Sequence, residues 1–380
     1  MTSTSRKRKS CIILVLKAGA ALLLAIAAAL AVWMIVNRPP STEPVRRDHL
    51  TEREIAIVRE VLRLRRFVGE DIWPGFGARP IPLQLFNDQY GFAVGVQSAP
   101  EGWEEVPGGR VDGMPYFRTA RPEKQAFAVR VGPQWAGSLS VKDVLDAQAP
   151  RALREHLPFV GRLIPYRLFI ISTDQYVAAI LHEQFHAFQA MTNPARFQRA
   201  LDSYRAQDAY PWARDGFRSA WLEEVRLLQA ALAAPLTVDK ARLAGQFIAK
   251  RKARRQAFLS EPAALSFERE VEWLEGLGKY AEVRAYQLAA ALPYQPLPEM
   301  AGDPQFARYG KFGRWWKQEL RNMTVRMNLR GDLPFYYSGV MQAMLLDELR
   351  PGWKQGFRQG DTFSDDLLCT ASRQGTDPRR

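Results

Sequence analysis

The stretch Thr173–Met191, TDQYVAAILHEQFHAFQAM, sets His182, Glu183 and His186 in the pattern H-E-x-x-H. Residues four apart on an α-helix stand one above the other, so both imidazoles can reach one metal ion. Glu183, beside the first histidine, can then lean toward a water on that metal. The segment carries independent helix signals. Ser172 and Gln175 read as a capping box, Val177, Ile180, Leu181, Gln184 and Phe188 recur at helical spacing, and Asn193-Pro194 ends the run. Upstream, Tyr166–Ile171 is β-branched and aromatic, which predicts a strand feeding the helix. The chain has four histidines in all (His49, His156, His182 and His186), so a chance occurrence of this motif is rare.

Catalytic zinc takes three protein ligands and leaves one position for water, so two histidines need a third partner. His49 and His156 are candidates by type; Glu223, Glu224, Glu268, Glu272 and Glu275 are candidates by number. The segment Phe267–Tyr286, FEREVEWLEGLGKYAEVRAY, holds Gly276 and Gly278 inside a helical pattern. Each glycine weakens a helix by ~1 kcal/mol, which predicts that another backbone approaches closely there.

Within it, Trp273-Leu274-Glu275-Gly276-Leu277-Gly278-Lys279-Tyr280 resembles the W-L-x-E-G-x-A-x-Y helix of the gluzincin metallopeptidases, the thermolysin and zinc-aminopeptidase group. The layout is also similar to bacterial membrane-anchored H-E-x-x-H proteins with helices inserted between the two motifs. The resemblance covers two helices. It implies a Zn2+ cofactor held by His182, His186 and Glu275, with Glu183 as general base. The chain departs from the pattern in three ways. It has one residue fewer between Leu274 and Glu275, a longer interval after His186, and Lys279 where the thermolysin group places an aspartate that orients a histidine. No exopeptidase signature accompanies it. Glu224 would suit a partner that orients a ligand histidine. Tyr336 and Tyr337, entering a late helix, are the expected oxyanion donors, with Tyr280 and Tyr286 behind them.

Composition enters at the N-terminus. Arg6, Lys7, Arg8 and Lys9 precede an apolar run from Cys11 to Val36 that only Lys17 interrupts. Its length predicts a transmembrane signal anchor over 11–36, with residues 1–10 in the cytoplasm and the rest outside, at a bacterial inner membrane. A cleaved signal peptide is the alternative, with Ala25–Ala31 offering small residues. The net charge of +13 belongs partly to this basic cluster. Cys11 and Cys369 are the chain's two cysteines and fall on opposite sides of that anchor, so no disulfide framework is expected.

Residues 37–50 read as a proline-rich linker, and Thr51–Phe67 as an amphipathic helix. The region 51–150 is β-textured: Ile81, Leu83 and Leu85 alternate, as do Phe92, Val94 and Val96, then Phe127, Val129 and Val131. Residues 151–361 are mainly helical and hold the zincin-like part, and 362–380 is a polar tail. The fold class is therefore α+β. The basic-aromatic stretch Lys311–Arg326 could stack on nucleic acid, but packing of its tryptophans on the core is preferred. The leading function is an extracytoplasmic zinc metallohydrolase acting on a polypeptide. The alternatives are a non-catalytic zincin-like scaffold and an amide hydrolase with a non-protein substrate.

Overall fold

The computed structural model describes residues 17, 19–33, 41–156, 166, 170–329, 331–357 and 362–374. These fall into two compact units, one formed by Met1–Val45 with Lys142–Ile171 and the other by Arg46–Val141 with Ser172–Arg380. All six strands and the helices from Thr173 onward fall in the second unit.

The second unit begins with helix α1, Glu52–Ile72, whose entry is a complete capping box between Thr51 and Glu54. Its inner face carries Ile57, Val61, Leu64 and Val68, all buried. Strands β1 (Leu83–Phe86), β2 (Gly91–Val94), β3 (Glu104–Val111), β4 (Met114–Thr119), β5 (Phe127–Val131) and β6 (Gln134–Ser140) follow. They form one sheet in the order β3-β4-β2-β1-β6-β5. Every neighbouring pair is antiparallel except β1 with β6, which run parallel with Leu83 opposite Gly137. Ala93, Val96, Phe117, Val129, Val131 and Ala136 make an apolar cluster on the sheet.

In the first unit, α2 (Lys142–His156) holds Lys142 Nζ against both Asp146 oxygens and the Ile171 carbonyl, each at 2.8 Å.

Back in the second unit, α3 (Thr173–Thr192) carries the H-E-x-x-H motif and starts at the Ser172–Gln175 capping box. It packs against β6, where a side chain at Gly137 would come within 2.5 Å of the Gln184 backbone nitrogen. The Tyr176 hydroxyl donates to the Ser140 carbonyl at 2.6 Å and fixes the same contact. Helices α4 (Pro194–Ser203), α5 (Phe217–Ala233), α6 (Thr237–Phe258) and α7 (Pro262–Val271) lead to a π-helical turn over Glu272–Gly276. Then come α8 (Leu277–Ala291), α9 (Phe312–Arg326), α10 (Leu333–Leu349) and α11 (Ser364–Gln374).

Behind the π-turn lies a buried ionic layer. Arg254 bridges Glu224 and Glu268, and Arg251 bridges Glu224 and Glu272, with all five side chains 2% exposed or less save Glu272 at 5%. Charges on these helices, which a sequence reading assigns to solvent or to a metal, are instead paired in the core.

Two expectations are corrected here. Among the described residues no helix is long and apolar enough to cross a membrane. The transmembrane anchor over 11–36, and the single-pass inner-membrane location drawn from it, are therefore not supported. Residues 1–16, 18 and 34–40 lie outside the described residues. The strand expected at Tyr166–Ile171 is not found at Tyr166, Ile170 or Ile171, and 167–169 lie outside the described residues. The polar tail over 362–380 contains α11, because Leu367, Leu368 and Ala371 bury a helical stripe. The segment Phe267–Tyr286 is helical throughout, with a π-helical turn over Glu272–Gly276 set within it.

Candidate metal centre

His182 and His186 project from one side of α3, and Glu275 projects toward them from the π-turn. The two imidazole Nε2 atoms stand 3.0 Å apart, and Glu275 Oε2 lies 3.5 Å from His182 Nε2 and 3.2 Å from His186 Nε2. A tetrahedral zinc with ~2.0–2.1 Å bonds spaces its ligands about 3.3 Å apart. The triangle therefore has the size that one such ion requires. All three residues are buried.

The hydrogen-bond partners indicate which ring atoms face inward. Gln189 Nε2 donates to the carbonyls of Trp273 and Leu274, at 2.9 and 3.3 Å, so its Oε1 is the atom facing His186 Nδ1 at 3.0 Å. An amide oxygen only accepts, so His186 carries its hydrogen on Nδ1. Likewise His182 Nδ1 meets the Glu282 carboxylate at 3.3 Å and donates to it. Each neutral imidazole then turns its Nε2 lone pair toward the other and toward a carboxylate. Glu275 Oε2 has no hydrogen-bond donor of its own. Such an arrangement calls for positive charge at its centre. In the metal-free protein, burial disfavours charge on His182, but Glu275 and Glu282 outweigh it and raise its pKa to about 10.

The local sequence explains the close fit. A side chain at Gly278 would sit 2.7 Å from His182 Nε2 and 2.9 Å from His186 Cε1, and one at Gly276 would meet the Gly339 backbone at 2.6 Å. Glycine at 278, in the first turn of α8, leaves room for the imidazoles, and glycine at 276 lets the π-turn approach α10. The Trp273 and Leu274 carbonyls in the turn accept from Gln189 Nε2, which ties α3 to the segment bearing the third ligand.

Glu183 stands beside these ligands, 9% exposed, with Oε2 unpartnered. Burial lifts its pKa to about 7, against the pull of the two histidines. Tyr336 stacks on His182 with ring centroids 5.8 Å apart, and Phe127 packs on His186 at 4.5 Å. Burial and the Glu275 charge keep the Tyr336 phenol protonated. Tyr337 points elsewhere: its hydroxyl donates to Glu319 Oε2 at 3.0 Å, on α9, so it is no oxyanion donor here. The other proposed acids are also engaged elsewhere. Glu223 is exposed against Lys250, Glu224 and Glu272 bind Arg251, and Glu268 binds Arg254 and Arg255. Glu224 thus orients no histidine. His49 is exposed beside Asp48, and Tyr280 donates to Asp347.

Four residues at the centre escape a sequence reading built on the two motifs. Glu282 takes the orienting role expected of Glu224, and Lys279 Nζ grips it at 2.5 Å. It lies seven residues after Glu275, two helical turns on, a spacing that could have found it. Gln189 lies three residues after His186 on the same face. Tyr204 and Asp332 carry no periodic signal; the Tyr204 hydroxyl lies 3.4 Å from Glu275 Oε1 and 3.3 Å from Asp332 Oδ2. Replacing Glu282 by Gln is expected to weaken metal binding about 10–100-fold, read by competition with a chromogenic chelator. Unchanged affinity would mean that the His182 ring is held by packing alone.

Comparison of the chain with protein-family models, with curated proteins and with solved structures returns no match.

Proposed function

We propose that this chain is a zinc-dependent amide hydrolase, a metallopeptidase of gluzincin type. One observation carries the reading: three buried ligand atoms lie 3.0–3.5 Å from one another, with both Nδ1 hydrogens already committed elsewhere. Two imidazoles and a carboxylate are a donor set that suits zinc and leaves a position open. When bound there, zinc supplies an acidified water and a Lewis acid for a carbonyl oxygen.

The chain's own residues supply the rest. Glu183, not among the three ligands and raised to about 7 by burial, accepts a proton from the attacking water and returns it to the leaving nitrogen. Glu282 and Gln189 hold the imidazoles in the tautomer that presents Nε2. The Tyr336 phenol, neutral and stacked on His182, is the donor best placed for a developing oxyanion.

Purified protein is expected to hold close to one zinc per chain by elemental mass spectrometry, and His186→Ala to hold nearly none. Equal zinc in the two proteins would remove the basis of the reading. Nickel or cobalt in preference to zinc would change the cofactor but keep the site.

A further inference from the structure

The segment that leads into α9 carries a surface that the metal centre does not use. Arg308 and Tyr309 both adopt positive φ, 52° and 60°, a conformation that is costly for residues with a side chain. Asp174, on α3, holds this turn: its carboxylate accepts from the Ala307 backbone N–H at 2.8 Å and from that of Tyr309 at 2.6 Å. Tyr309 is buried and its hydroxyl donates to Glu60 at 2.8 Å, while Arg308 is exposed. The strained turn thus keeps a tyrosine inside and an arginine outside, directly ahead of a basic helix.

Every exposed charge between Pro304 and Leu329 is positive: Arg308, Lys311, Arg314, Lys317 and Arg321. The one acid outside Asp303 and its turn, Glu319, is buried against Tyr337 and Arg326. Among the described residues no carboxylate pairs with any of the five, and Arg321 donates to Gln318. Lys311, Arg314, Arg321 and Val325 fall on one side of α9 by helical spacing, and the buried Phe312, Glu319 and Met323 on the other. Val325, 70% exposed, and Leu329, 48% exposed, set apolar side chains beside the cations. Trp315 packs on Tyr286 and Trp316 on Phe312, with ring centroids 5.3 and 6.5 Å apart, so both rings are engaged within the fold rather than offered to nucleic-acid bases. Unpaired cations with exposed aliphatic side chains among them suit a surface that places negative headgroups over an apolar layer.

We infer that this face of α9 docks on a lipid surface rich in anionic headgroups, with the five bases over the phosphates and Val325 at the edge of the acyl layer. The contact is peripheral and requires no helix across the bilayer. It is independent of the hydrolase reading.

The test places an environment-sensitive dye on Val325→Cys in the full chain, with Cys11→Ser and Cys369→Ser so that the label is unique. Vesicles of phosphatidylcholine with about one-third phosphatidylglycerol are expected to brighten the dye and shift its emission to the blue, and vesicles of phosphatidylcholine alone to leave it unchanged. Adding Arg314→Glu and Lys317→Glu, both exposed changes, should raise the lipid concentration for half the response by more than about tenfold. Circular dichroism and the melting midpoint should stay as in the unaltered chain. No response to the anionic vesicles, an equal response to the neutral ones, or a response that survives the double charge reversal overturns the proposal. A response to duplex DNA and not to vesicles overturns the lipid assignment in favour of nucleic acid.

Discussion

Glu183→Gln is expected to keep zinc and fold intact while lowering turnover by about 10²–10⁴-fold, the usual contribution of a positioned general base. The side chain is buried, its Oε2 has no partner, and it is not one of the three converging ligands. An amide is close to isosteric with the carboxyl group, so the substitution leaves packing alone. What it removes is the capacity to accept a proton, which burial has brought to about neutral pH. The measurement is cleavage of a peptide library by wild-type and variant protein of equal zinc content. If the biological role survives Glu183→Gln but fails in zinc-free His182→Ala, the metal is structural and the chain is a scaffold.

The second large effect concerns stability. Arg254→Met is expected to lower the free energy of unfolding by about 3–5 kcal/mol, because it strands buried carboxylates without their cation. Arg254 donates to Glu268 through both terminal nitrogens at 2.8 Å and to Glu224 through Nε at 2.5 Å, and its side chain is fully buried. Glu268, held well below its ordinary pKa by Arg254 and Arg255 despite burial, is left with Arg255 and Tyr210 as its hydrogen-bond donors. Chemical denaturation should show a lower midpoint with an unchanged slope. A loss under about 1 kcal/mol would show that the layer relaxes or hydrates when the arginine is gone.

The parts of the fold that were legible in the sequence are those encoded over short distances. The capping box at Ser172 and the stripe from Val177 to Phe188 act within a few residues, and α3 forms where they put it. The alternation through Leu83, Leu85, Phe92 and Val94 falls on paired strands. Gly276 and Gly278, conspicuous because glycine disfavours a helix, do lie where backbone and imidazoles press together. What stayed hidden depends on distant partners. Tyr204 reaches Glu275 across 71 residues and Asp332 across 128, from a short turn and a loop that carry no periodicity. Glu224, Glu268 and Glu272 read as free acids because their arginines sit on α6, one or two helices away in the chain. The apolar N-terminal run is not supported as a span, since among the described residues no helix is long and apolar enough to cross a membrane.

The glycines at 276, 278 and 339 invert a common rule of protein engineering. Elsewhere in a helix, glycine to alanine is a standard stabilising change, worth roughly 0.4–1 kcal/mol through the unfolded chain. Here a methyl group at 276 or 339 would strike the facing backbone, and one at 278 would occupy the space between the imidazoles. Local stability in this part of the chain is thus capped by the geometry of the centre. A variant selected for heat resistance alone should keep these three positions and improve elsewhere, on faces that the metal ligands do not share.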